Sequence, residues 1–533
     1  MQNLTVQKIV IGLITLGFFA AAPFLTAEFL GGNTLPIFLI FGVGILLLFI
    51  FWLKDRCWLV IPFCLPIEGR FNFLPLNFSM LEVSILYVVA YMVLQVVMGK
   101  QLAIKPGPFF IWLFLLPLLS IVMFHWIRSG DIGIRALGGT GWGGRVYFQI
   151  LLYSLAIPVI ASFSGSSIRD FQLVPLVYFL GTFMDLVPNT VTTIVPGLAP
   201  LIFKVYSAVN TGAYGKELMG AFTGFNESVE RFRNFSFFGV ALALVILSYF
   251  PFRSWLRPER LWVVPSLVIC LLLSAFSGFR SSVFNFGACS MTALWATARS
   301  KIIFLLPLGL GALLLISVSQ GTLVQYPLSI QRALTFLPGQ WDKQAVKDAD
   351  SSSDWRKEMR ELFFAEYFQK APLIGQGYHY DPIYSLREFD LFMRITVLQT
   401  ADTYAQVRPF IERRQPHEGD IHLLLSTGVM GLICFSLFCL TVCGLSLLDI
   451  YRTPVASVAP VQIWGAAILV QQTLSFFVVY GDLAPALGMM GPVAAILFAY
   501  KSVVLGKTLP PAFDQETMPT PSLSSAERVA SAS

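Results

Sequence analysis

The stretch Leu423–Leu447, LLLSTGVMGLICFSLFCLTVCGLSL, decides the fold. It holds no charged side chain, and coiled as a helix it is long enough to cross the roughly 30 Å hydrocarbon core of a bilayer. The run is continuously apolar instead of alternating, which excludes a membrane β-barrel strand, and a helix is the element that satisfies its own backbone in lipid. Similar runs recur on both sides of it. Fourteen candidate spans lie near 7–26, 34–53, 57–68, 79–98, 107–126, 146–164, 173–193, 235–253, 260–277, 280–298, 302–319, 423–447, 461–480 and 485–503. The segment 57–68 is short and contains Pro62 and Pro66, so it reads as a half-span or a tilted piece. The expectation is an all-α polytopic membrane protein with twelve to fourteen spans.

Composition agrees. Of the 533 residues 56% are hydrophobic and 12% are charged, about half the roughly 25% charged content of soluble globular proteins. Most soluble enzymes are thereby excluded. The charge is also unevenly placed, since about 26 of the 66 charged residues lie between Gln320 and His422. One large polar loop therefore interrupts the apolar chain. This divides it into a bundle over 1–319 with about eleven spans, a loop domain over 320–422, late spans over 423–504 and a tail over 505–533. The tail is rich in Pro, Ser and Ala and reads as disordered.

Orientation follows from the cations between spans. Lys54-Asp55-Arg56, Lys100 with Lys105, Arg253 to Arg260, Arg299-Ser300-Lys301 and Tyr451-Arg452 fall on one face in the fourteen-span reading. By the positive-inside rule that face is cytoplasmic, both termini join it, and the loop 320–422 faces outward. The net charge of +6 is accounted for in this way and points to no nucleic-acid partner. The start of the chain, with Lys8 and an apolar run through Leu25, reads as an uncleaved first helix rather than a signal peptide. All seven cysteines sit in apolar spans without CxxC spacing and read as small core residues, not as a redox or metal site.

The informative cations are those placed outside. Arg128, Arg135 and Arg145 flank the glycine-rich stretch Gly138–Gly144, and Lys204 and Lys216 precede the span at 235–253. Arg231 and Arg233 stand at that span's outer entrance. Arg280, in the tight turn Ser277-Gly278-Phe279-Arg280-Ser281-Ser282, has no acidic neighbour in sequence. A single outer arginine can simply snorkel to lipid headgroups. Arg280 together with Arg233 or Arg231, each tied to the outer end of a helix, points to a dedicated anion site, because a guanidinium fork matches phosphate oxygens.

Within the loop, Trp355–Phe368 has apolar residues at helical spacing and reads as an amphipathic helix resting on the bundle, with Asp354 as its N-cap and Pro372, Gly375 and Gly377 ending it. Beyond it stand His379 and His417, with His422 opening the next span. A histidine titrates near neutral pH and suits the removal of a proton from a sugar hydroxyl. His417 lies among Arg413, Arg414, Glu418 and Asp420, while its five-residue separation from His422 does not suit a metal pair on one helix face.

Four ordered stretches over roughly 230–450 resemble the bacterial inner-membrane superfamily of O-antigen ligases and O-antigen or exopolysaccharide polymerases. They are Arg231–Phe235, Ser277–Ser281, Gln331–Gly339 with Ala371–Gly377, and Pro416-His417 followed by Leu423–Leu432. The resemblance implies a GT-C-like, metal-independent glycosyltransferase without a cofactor. It would move a glycan from undecaprenyl pyrophosphate to an acceptor hydroxyl on the periplasmic face of the inner membrane. Mapped onto this chain, Arg280 and Arg233, with Arg231, would hold the pyrophosphate, and His417 would be the general base, with His379 in reserve. The family usually follows its histidine with asparagine, where this chain has Glu418. The partners implied are the lipid-linked donor, a glycan or lipid A-core acceptor, membrane lipids and other members of a polysaccharide assembly. The competing class is a lipid-linked oligosaccharide flippase, which should show two similar halves and no large outer loop.

Overall fold

The computed structural model describes residues 53–72, 78–99, 104–133, 143–163, 166–207, 233–255, 257–380, 407–416 and 418–508. Among these, eight helices are long and apolar enough to cross a membrane. They are α1 (Met80–Val97), α2 (Phe109–Arg128), α3 (Gly144–Ala161), α4 (Val174–Ile194), α6 (Val263–Phe276, membrane-length together with the 3-10 turn that starts at Pro258), α11 (Gly419–Arg452), α12 (Pro460–Val478) and α13 (Leu483–Thr508). Between them lie α5 (Arg233–Tyr249), α7 (Arg280–Ala298), α8 (Leu305–Ser319), α9 (Leu328–Leu334) and α10 (Lys343–Leu362). The eight coincide with eight of the expected spans, and α5, α7 and α8 occupy three more. The expected spans 7–26 and 34–53 lie outside the described residues. The segment 57–68 is a 3-10 turn, Lys54–Leu59, joined to the five-residue helix Val60–Cys64, so it is indeed a partial span. The only sheet among the described residues is a two-residue pair, β1 (Arg70–Phe71) with β2 (Tyr206–Ser207).

The centre of the bundle is α13, of which 78% is buried against its neighbours, compared with 28% for the peripheral α2. Small residues let it sit there. Gly488 lies so close to Tyr153 of α3 that a Cβ would stand 2.9 Å from the ring, and Gly491 faces Ile157 one turn on. Close backbone approach through small residues is the usual means of helix association in lipid, where the hydrophobic effect supplies no drive.

The two ends of the bundle differ. At one end Arg56 pairs with Asp170 at 3.0 Å, Lys501 pairs with Asp449 at 2.7 Å, and Arg299 donates to the carbonyl oxygens of Ile450 and Thr453. Arg56 and Arg299 belong to the clusters that the sequence assigns to the cytoplasm. The polar segment after α8 packs against the opposite end, over the C-termini of α2, α6 and α12 and the N-termini of α3, α7 and α11.

The amphipathic helix of this segment starts earlier than expected. Asp354 lies inside α10, and the cap is Asp342, whose carboxylate accepts the N–H of Gln344 at 2.7 Å. Local sequence favours Asp354 because aromatic periodicity begins at Trp355. The preceding turns nonetheless contain Lys343, Gln344, Ala345, Lys347 and Ala349, which are good helix formers, and Ala345 and Ala349 are buried on the inner face, so the helix extends backward. Its apolar face, Met359, Leu362 and Phe363, buries against Val407, Ile411, Ile421 and Leu425.

One membrane helix is broken. Gly428 in α11 adopts φ 68°, ψ −169°, which interrupts the helical ladder. The freed backbone groups are met by the segment Pro372–Gly377. Gln376 and Gly377 donate to the carbonyls of Leu425 and Ser426 at 2.7 and 2.9 Å, and Val429 and Met430 donate to those of Pro372 and Leu373 at 2.8 and 3.0 Å. Non-helical backbone at membrane depth is tolerated only where protein satisfies it in this way. Gly375, with φ 74°, sits against the Ser426–Gly428 backbone with room for no side chain.

Candidate functional site: an arginine-headed groove

The loop-facing end of α7 opens onto a cavity of about 780 Å3. At its polar end stand Arg280, Arg332, Ser353 and Arg356. Phe284, Gly287, Ala288 and Met291 continue it along one face of α7, opposite Leu313 of α8 and Leu474 and Val478 of α12. From Arg280 to Met291 at 1.5 Å per residue, the groove follows α7 for about 16 Å. A cationic head above a long apolar wall is the shape of a site for an amphiphile with an anionic head.

The three arginines are held differently. Arg332 is 3% exposed; its Nη1 donates to the carbonyl of Gly278 at 2.5 Å and its Nε to the carboxylate of Asp348. It clasps α9 and α10 to the turn before α7, where Gly278 takes φ 79°. Arg280, the first residue of α7, donates through Nη2 to the carbonyl of Ala349 at 2.8 Å and to Ser353 Oγ at 3.0 Å. No carboxylate among the described residues pairs with it. Arg356, one turn further along α10 than Ser353, makes no hydrogen bond among the described residues. Burial pulls its guanidinium below the ordinary arginine value, the nearby Glu418 pushes it up and the like charge of Arg280 pushes it down again. The N-terminus of α7 adds its own partial positive charge at the same end of the groove.

The expected site residues are therefore only partly brought together. Arg280 lies in the groove. Arg233 begins α5, whose Phe235 packs on Phe276 at 5.5 Å just before the Ser277–Arg280 turn, so its backbone stands beside the site. Arg231 and His417 lie outside the described residues. Their flank is visible: Glu418, next to His417, accepts from Arg360 Nε and Nη2 at 3.2 and 2.9 Å, and Asp420 approaches the same guanidinium at 3.4 Å. Thus α10 carries Arg356 in the groove and, one turn later, the arginine that grips Glu418. His379 does not line the groove. It packs beside Gly133 and Gly143 at the ends of α2 and α3, with its Nδ1 buried and making no hydrogen bond among the described residues.

Sequence reasoning missed Arg332 and Arg356 as members of the site. Both stand in stretches already singled out, but nothing in their spacing shows that α9 and α10 fold back over the start of α7. Arg145, one of the outer exceptions, finds an anion in the protein itself: Glu82, fully buried, accepts from it at 3.1 Å and from Gln149 at 2.5 Å. Gly143 and Gly144 of the glycine-rich loop serve close packing, against Tyr378 and Gly133.

Fold and groove together define a multi-pass α-helical membrane protein with an arginine-headed groove at one end of its bundle. Residues 233–436 match the family model described as O-antigen ligase. That match supports the O-antigen ligase and polymerase superfamily for this chain and a membrane enzyme of the glycan-transferring class. It spans Arg233, the three groove arginines, the Pro372–Gly377 segment and the break at Gly428, and it does not favour a flippase. No curated protein matches the chain.

Proposed function

We propose that the protein transfers a glycan from an undecaprenyl pyrophosphate carrier to an acceptor hydroxyl at the periplasmic face of the inner membrane, as an O-antigen ligase or a polysaccharide polymerase. The observation that carries this reading is the groove. Its cationic end fits a pyrophosphate, its apolar wall fits a polyprenyl chain, and Arg280 lacks a carboxylate partner among the described residues. The basic end of the bundle opposite the groove supports the periplasmic orientation.

In the reaction the acceptor oxygen bonds to the anomeric carbon, and the bond from that carbon to the pyrophosphate oxygen breaks. The lipid pyrophosphate leaves with the electron pair, and the acceptor proton passes to a base. Arg280 and Arg356, with Arg233 beside them, neutralise the charge that grows on the leaving group, and preorganised charge of this kind commonly contributes more to catalysis than any other effect. Arg332, bound to Asp348, holds the turn that aims Arg280. His417 is the proposed base, delivered next to the Arg360–Glu418 contact.

The test is transfer by the purified protein in lipid nanodiscs from undecaprenyl-pyrophosphate-linked glycan. Arg280→Ala should lose at least ~100-fold in rate with an unchanged melting temperature, and wild-type rates in that variant would remove the reading. His417→Ala should be equally inactive; inactivity of His379→Ala alone would reassign the base. In a deletion strain, single carrier-linked repeats mark a lost polymerase, and long carrier-linked chains a lost ligase.

A further inference from the structure

The segment after α8 holds two further cavities that the groove does not use. One, of about 430 Å3, lies between the 320–325 turn and the start of α10 and is lined by Gln320, Gln325, Gln331, Gln340, Trp341 and Asp342 among others. The second, of about 500 Å3, begins on Trp341 as well and runs along the first turns of α10 past Lys347 and Asp350. Trp341 is thus the wall common to both.

We propose that these adjoining clefts form a subsite for the sugar residues of the glycan, with the Trp341 indole as its platform. Neither lysine nor arginine lines the first cleft, so it is unsuited to a phosphate or an acidic group, and although Leu323 and Val324 also line it, the four glutamines and Asp342 make it unsuited to a lipid tail. Amides beside a single carboxylate and an indole suit a neutral polyol: amides give and take hydrogen bonds in pairs, and an aromatic ring covers the C–H face of a sugar.

The donors are available. Gln331 is spent internally, donating to the carbonyl of Tyr326 at 2.8 Å and accepting from the N–H of Asp342 at 2.8 Å. Gln325 and Gln340 are exposed and make no side-chain hydrogen bond among the described residues. The indole is fixed, since its Nε1 donates to the carbonyl of Leu337 at 2.8 Å, so little freedom is lost on binding. The cleft's volume falls in the ~300–1,000 Å3 range of small-ligand sites.

Position connects the subsite to the reaction. Gln331 and Arg332 are consecutive on α9, and the first borders the glutamine cleft while the second borders the arginine groove. A glycan joined to a pyrophosphate in the groove would emerge beside α9 and reach Trp341 within a few sugars. This inference rests on the glycan-transfer reading and assigns the place where the saccharide, as distinct from its carrier, is held.

The test uses the full-length protein in nanodiscs and a lipid-free oligosaccharide, released by mild acid from the surface polysaccharide of the cells that make the protein. Binding is followed by saturation-transfer NMR and calorimetry, and transfer from the lipid-linked glycan is measured in parallel. Trp341→Ala should weaken oligosaccharide binding and raise KM for the lipid-linked donor, each by roughly tenfold or more, with kcat nearly unchanged. The milder Gln340→Ala, at an exposed position, should move both in the same direction while leaving the melting temperature alone. Arg280→Ala should leave oligosaccharide binding intact. Undiminished binding and KM in both Trp341→Ala and Gln340→Ala would overturn the proposal, as would a wild-type protein that binds no free oligosaccharide. If wild type binds the oligosaccharide at Trp341 but transfers nothing, the subsite stands and the transfer reading falls.

Discussion

Arg280 reaches across from the first turn of α7 to hydrogen-bond the carbonyl oxygen of Ala349 on α10, and it does so with one terminal nitrogen, Nη2. The rest of the guanidinium makes no hydrogen bond among the described residues, so the contact orients the fork without using it up. A lysine could keep the charge but not both functions. Arg280→Lys should therefore retain normal expression and melting temperature yet lose about tenfold or more in kcat/KM for glycan transfer. Full activity in the lysine variant would show that only a point charge is needed there.

Arg332 and Arg356 line the same groove and should fail in opposite ways. Asp348→Asn removes the counter-charge of a guanidinium that is 3% exposed. Leaving that charge uncompensated should cost about 3 kcal/mol, seen as a lower melting temperature in detergent. Arg356→Ala loses no hydrogen bond among the described residues, so stability should hold while KM for the lipid-linked donor rises about tenfold. A variant pair with these two signatures exchanged would reverse the assigned roles.

Gly428 tests the broken helix. Its φ of 68° with ψ of −169° lies in a region essentially restricted to glycine and disfavours any L side chain by about 1–3 kcal/mol, and a Cβ would overlap the backbone of Leu373. With overpacking of about 1–3 kcal/mol added, Gly428→Ala should melt well below wild type or fail to accumulate in the membrane. If it melts like wild type, the Pro372–Gly377 segment is not held in the break as described.

Orientation can be read with a thiol reagent. Asp350 is exposed on α10, whereas Cys57, Cys64, Cys270, Cys289, Cys434, Cys439 and Cys443 are all buried, giving a low background. Asp350→Cys should react with an impermeant maleimide added to the periplasmic side of intact cells. Reaction only after the inner membrane is opened would place the groove at the cytoplasmic face.

Much of this architecture was legible because bilayer thickness turns helices into long apolar runs with few charges, and each of the eight described spans announced itself in that way. Arg280 was legible for a related reason: an unneutralised cation in a tight turn between apolar runs stands out where charge is scarce. Arg356 was not, because it sits among Lys357, Glu358, Arg360 and Glu361 on a helix that looks like any solvated surface helix. Only the fold shows that its side faces the groove. Arg145 misled in the opposite sense, since its partner Glu82 lies 63 residues away in sequence. The start of α10 is hidden for a local reason. Asp342 and Asp354 are both sound capping residues, and the aromatic periodicity that begins at Trp355 points to the second. What selects Asp342 is the burial of Ala345 and Ala349, a tertiary contact that the sequence does not display.

The mortise between Pro372–Gly377 and the gap at Gly428 has a practical consequence for engineering. Because two peptide N–H groups and two carbonyls of the late helix bond to that short segment, the polar region cannot be exchanged between relatives as a cassette bounded at the membrane surface. A graft intended to alter acceptor choice has to carry its own residues through Gly431, or the recipient helix is left with an unfilled notch in lipid.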